Sequence, residues 1–119
     1  MKKAWTWVPI ALGLVASLAL GGCVHAWYVP TGARYPARAR DCDIEVFTSG
    51  LPARDYEEIA ILEGEGNLWK AELRDILPKL KEQACLAGGD AIILNPPQRY
   101  AEGDEGTPKM YASATVIRW

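Results

Sequence analysis

The chain has 119 residues, with 13 Lys+Arg against 15 Asp+Glu, 1 His, 3 Cys, 11 Gly and 8 Pro. That length holds one small domain, and a formal net charge of -2 excludes a dedicated nucleic-acid binder, which carries a basic excess. One His and three scattered Cys fall short of an ordinary four-ligand zinc site of the Cys/His kind. The densest apolar block lies at the N-terminus, so the first reading concerns address.

Lys2 and Lys3 form a positively charged start, followed by an uncharged apolar stretch from Ala4 to Leu20. This is the pattern of an export signal. Leu20-Gly21-Gly22-Cys23 then resembles a bacterial lipobox, in which an apolar residue and two small ones precede the modified cysteine. The resemblance implies that Cys23 carries diacylglycerol on its thiol and becomes the acylated N-terminus after cleavage. Two alternatives use the same residues. Ala4 to Gly22 as a helix measures about 28 Å, nearly enough for an uncleaved anchor, and small residues before a cysteine also suit an ordinary secretory signal. Val24, where an Asp usually signals inner-membrane retention, implies the outer membrane with the domain facing the periplasm. The chain thus divides into a signal peptide (1–22), a lipidated tether (23–41) and a periplasmic domain (42–119). Loss of the signal removes Lys2 and Lys3 and leaves a formal charge of about -4.

Residues 24–40 contain Pro30, Gly32 and Pro36 and show no sustained periodicity, which reads as a spacer. Arg34, Arg38 and Arg40 either keep that spacer soluble or meet anionic headgroups, with Trp27 and Tyr28 at the lipid interface.

From Asp43 the pattern becomes ordered. Asp43 to Thr48 alternates polar and apolar, as a half-buried strand does, and Tyr56 to Glu63 is a second strand, ended by Gly64-Glu65-Gly66. Trp69, Leu73, Ile76, Leu77, Leu80 and Ala84 fall on one helical stripe, which places Trp69 in the core, with a partner anchor as its other role. Asn67 suits the N-cap and Gly88 a left-handed C-terminal cap. Pro78 within the stripe predicts a kink or a second helix starting there. Asp90 to Asn95 is a buried strand, Gln98 to Lys109 an exposed loop, and Met110 to Trp119 a last strand whose Ala112 and Ala114 admit a close helix. The expected architecture is α+β, a β-β-α-β-β domain with its helix on one face of a mostly antiparallel sheet.

Tyr56-Glu57-Glu58-Ile59-Ala60, followed by Ala84-Cys85-Leu86-Ala87-Gly88-Gly89-Asp90-Ala91-Ile92-Ile93, resembles the Rcs stress-sensor lipoprotein family. In that family an amphipathic helix runs into Leu-Gly-Ala-Asp-Ala-Ile-Ile. Gly88, Asp90, Ala91, Ile92 and Ile93 match; Ala87 and Gly89 depart conservatively. The resemblance implies a periplasmic domain that acts through protein contacts. The stress sensor's domain holds two disulfides, whereas this chain has cysteines for one.

With Cys23 acylated, Cys42 and Cys85 remain in an oxidising compartment, where an even pair forms a disulfide. Closing that loop is worth on the order of 4 kcal/mol by chain entropy. Intermolecular pairing and a redox thiol are the alternatives. No residue set supplies acid, base and nucleophile together. His25 lies two positions from Cys23, Glu57 and Glu58 alternate faces, and Gly64-Glu65-Gly66 lacks the third glycine of a dinucleotide turn. The expectation is a non-enzymatic, cofactor-free protein anchored to the membrane at Cys23 and binding other envelope proteins, in stress sensing or assembly. The alternative is a ligand-binding module for a divalent metal or cell-wall component, using the Glu102-Gly103-Asp104-Glu105 loop and the basic tether.

Overall fold

The computed structural model describes residues 23–102 and 106–119. Among the described residues six strands and one α-helix form an α+β domain: β1 (Val24–Pro30), β2 (Glu45–Phe47), β3 (Glu57–Asn67), α1 (Leu73–Leu86), β4 (Ala91–Leu94), β5 (Gln98–Glu102) and β6 (Thr107–Arg118). The order across the sheet is β1-β3-β6-β4-β2, with β5 also on β6. All pairs are antiparallel except β2 with β4. β6 is long enough to serve β5 with its first half and β4 with its second along the same edge.

Alternation sets the core. Leu62 on β3, Ile92 and Leu94 on β4, and Met110, Ala112, Ala114 and Val116 on β6 are buried with Ile76, Leu80 and Ala84 of α1. Ala112 and Ala114 supply the small surface expected under the helix. Gly64 and Gly66 do not end β3. They continue it beneath α1, where a Cβ on Gly64 would lie 2.8 Å from Ile76 Cγ2 and 3.0 Å from Leu80 Cδ2. Glycine here is a close-approach residue and not a breaker. A bulge at Ile59 shifts the β3–β6 register and lets both Ile59 and Ala60 be buried. Its carbonyl accepts from the N–H groups of Thr31 and Gly32.

α1 runs through Pro78 as one helix, so no second helix starts at the proline. Pro78 removes the donor for the Arg74 carbonyl, but both residues lie on the exposed side, where water replaces it. The helix ends as the sequence predicts. Gly88 has φ 85°, Gly88 N–H donates to Cys85 O, and Gly89 N–H donates to Ala84 O at 2.9 Å. This is a Schellman cap.

Two segments read as irregular are strands. Val24–Pro30, assigned to the tether, is the edge strand beside β3, with Val24, Ala26 and Tyr28 packed on the core. Gln98–Glu102, assigned to a loop, pairs with β6 from Gln98↔Tyr111 to Glu102↔Thr107. Residues 31–41 are also not a free spacer. They strap across the helix end, with Tyr35 against the core and Arg38 N–H donating to Cys85 O at 2.8 Å.

Candidate functional site

Leu20, Gly21 and Gly22 lie outside the described residues. Cys23 stands at the start of β1, exposed and outside any disulfide. It is fastened there by two hydrogen bonds. Cys23 N–H donates to Asn67 Oδ1 at 2.9 Å, and Asn67 N–H donates to Cys23 O at 3.1 Å. Asn67 therefore uses its side chain on Cys23 and not as a helix cap, since no capping bond is made there. A peptide N–H in a precursor and an amide N–H in an N-acylated chain both offer the one donor that Asn67 needs.

The chain leaves Asn67 into a 3-10 turn, Leu68–Lys70, with Leu68 at φ 53°. A β-extended residue cannot make so sharp a fold back, and a Cβ on Gly66 would overlap the Lys70 carbonyl. Trp69, expected in the core, stands in this turn ahead of α1 and is 79% exposed; Leu68 is 46% exposed. The helical stripe holds only from Leu73 onward.

The second feature is the sheet face turned away from α1. Val29 pairs with Ile61, Ile61 with Thr115, Thr115 with Ile93, and Ile93 with Phe47. These pairings make one row across five strands, with Val29 and Ile61 exposed. Cross-strand partners share a face. Beside the row, Glu63 gathers two donors: Trp27 Nε1 donates to its Oε2 at 2.8 Å and the Tyr111 hydroxyl to its Oε1 at 3.1 Å. Burial, the hydrogen bond to Glu63, and the charges of Glu63 and Glu65 raise the Tyr111 pKa above the ordinary phenol value. Sequence spacing singled out neither Asn67 as the Cys23 partner nor this row, because both depend on register between distant strands.

The Gly88-Gly89-Asp90 junction is structural. Arg38 Nη1 donates to Gly89 O at 2.7 Å and lies 3.3 Å from Asp90 Oδ1. Arg118 donates to Gly88 O and stacks its guanidinium 4.1 Å from the Tyr35 ring centroid. Trp119 N–H donates to Asp90 Oδ2. Arg40 pairs with Glu82, and that hydrogen bond holds the Glu82 carboxyl below its ordinary pKa. Two of the three arginines thought to keep a spacer soluble thus tie the strap to the fold. Cys42 and Cys85 are joined by a disulfide with Cα atoms 5.9 Å apart, linking the chain before β2 to the end of α1.

Of the Glu102-Gly103-Asp104-Glu105 loop, residues 103–105 lie outside the described residues. Among the described residues no group of three or more His, Cys, Asp or Glu converges as a metal site, and no helix is long and apolar enough to cross a membrane. Glu57 and Glu58 fall on opposite faces of β3, and the Glu57 carboxylate accepts from the Tyr35 hydroxyl at 2.7 Å.

No family model matches the chain, and no curated protein is similar to it. Among solved structures the fold is similar to that of a Francisella virulence factor, FvfA, in its orthorhombic crystal form. The TM-score is 0.52 at 14% identity, over 79% of this chain and 98% of that one. At that identity the likeness concerns the fold alone.

Proposed function

We propose that this chain is a non-enzymatic lipoprotein of the bacterial envelope, anchored to the outer membrane at Cys23, whose periplasmic domain works by binding other envelope proteins in stress sensing or assembly. The observation that carries the reading is the division of labour among the three cysteines. Cys42 and Cys85 are consumed in a bridge, as suits an oxidising compartment, while Cys23 stands exposed and unpaired directly after the lipobox-like Leu20-Gly21-Gly22. The apolar row from Val29 to Phe47 supports contact as the mode of action, because it is continuous, partly exposed and uncovered by α1. The likeness of the Ala84–Ile93 segment to the stress-sensor lipoproteins supports the same compartment.

Intact-mass spectrometry of protein from a bacterial host tests the anchor. The expected species starts at Cys23 and carries acyl chains, and Cys23→Ala abolishes palmitate labelling. A species that still begins at Met1 without fatty chains overturns it. Crosslinking in cells tests the contact mode. One dominant protein adduct that Ile61→Lys removes supports it, and an adduct pattern unchanged by that substitution refutes it.

A further inference from the structure

We infer that the Leu68–Lys70 turn is a bilayer seat: Leu68 and Trp69 insert into the headgroup region beside the acyl chains, so that the domain stands directly on the membrane without a tether. The inference rests on Cys23 being the acylated residue. Given that, the geometry leaves little freedom. Cys23 immediately precedes β1 and is hydrogen-bonded to Asn67 in both directions, so no slack chain separates lipid from fold. Leu68 and Trp69 follow Asn67 at one and two Cα steps of about 3.8 Å. They therefore sit within a headgroup's depth of wherever the lipid enters.

The turn has the composition that this position calls for. Trp69 and Leu68 are among the exposed large apolar side chains, and Trp69 is the most exposed of them at 79%. A depression beside the turn is lined by Leu68, Trp69, Arg74, Arg99 and Tyr100. Tryptophan and tyrosine rings favour the interface, where the ring is apolar and the polar atom stays wet. Arg74 is paired with Glu72, which lines the same depression, at 2.9 Å, so its charge is offset within the turn. Insertion is therefore apolar in origin and insensitive to salt. Leu68 holds φ 53°, a conformation that a glycine would adopt without strain. The turn keeps a leucine where folding alone favours glycine.

The strands provide an internal ruler. Trp27 lies about 13 Å along β1 from Cys23, and Trp119 lies beyond the opposite end of β3, roughly 33 Å away. The test uses acylated full-length protein in phosphatidylethanolamine–phosphatidylglycerol vesicles whose acyl chains are brominated. Three versions each retain one of Trp27, Trp69 and Trp119, the other tryptophans of the mature chain replaced by Phe. Trp69 emission is expected to shift to the blue and to lose most of its intensity, at low and high salt alike; Trp27 loses little and Trp119 none. Leu68→Gly, which relieves the backbone and so folds at least as well, is expected to lessen the quenching of Trp69. If mass spectrometry shows the acyl chains and Trp69 is nevertheless quenched only from the aqueous phase, the seat is wrong and the anchor stands. If the acyl chains are absent, the anchor reading fails and takes the seat with it.

Discussion

Arg38 reaches across 52 positions of sequence to place one guanidinium nitrogen 2.7 Å from Gly89 O and 3.3 Å from Asp90 Oδ1. The pair is partly exposed, with side-chain accessibilities of 38% and 30%, so its charge attraction is screened. The bond to the Gly89 carbonyl adds to it, because that acceptor is left unpaired when the guanidinium is removed. Arg38→Ala is expected to lower stability by about 1 kcal/mol in urea denaturation. Asp90→Ala costs more, about 2 kcal/mol, since it also frees the Trp119 N–H. Equal stability of Arg38→Ala and wild type would show that the Arg38 side chain does not help to hold the strap.

Gly89 meets its neighbours more closely than any other residue of the junction. A Cβ there would lie 2.2 Å from Val116 Cγ1 and 3.3 Å from Ala84 O. Gly89→Ala is expected to destabilise by about 3 kcal/mol through overpacking. In a Val116→Ala background the same substitution should cost markedly less, as coupled neighbours require. Thermal denaturation of the four proteins gives the cycle, and additive effects would show that the crowding lies elsewhere.

The Cys42–Cys85 bridge closes a sequence separation of 43 and ends on a fully buried sulfur. Cys42→Ala with Cys85→Ala is expected to lower stability by about 2 to 4 kcal/mol. Alkylation of denatured, unreduced protein should label neither residue. Label at both positions would mean that the bridge does not form in solution.

Tyr111 provides a pH signature. Its pKa is raised, so the fold holds the phenol proton more tightly than the unfolded chain does. The contribution is complete below the unfolded pKa of about 10 and is lost as pH rises from there through the folded value. Tyr35 is raised too, through its hydrogen bond to Glu57, so near-ultraviolet phenolate absorbance should show two tyrosines titrating late, one of them absent in Tyr111→Phe. In Glu63→Gln that step should move down. A late amplitude that is unchanged in Tyr111→Phe would show that Tyr111 does not titrate late.

The helix from Leu73, its glycine cap, the buried β4 and the alternation of β6 were legible because each is written in local periodicity or in a single special backbone angle. β1 was hidden by Pro30 and Gly32 nearby, although Val24, Ala26 and Tyr28 do alternate toward the core. A proline is tolerated there because β1 is an edge strand. β5 was illegible for a different reason. It is exposed along its described side chains and exists through backbone pairing with β6, which leaves no apolar trace. Trp69 was misplaced because its spacing fits a helix that starts four residues later, and only the turn over Gly66 separates the two. The Asn67 side chain carries two capabilities, capping and bridging, and sequence ranks the first.

β6 follows β3, β4 and β5 in chain order and pairs with all three. A chain made from its N-terminus therefore cannot join β3, β4 and β5 into one sheet until Thr107–Arg118 has been made. By the same logic, a chain truncated before Thr107 leaves β3, β4 and β5 each without the neighbour they share.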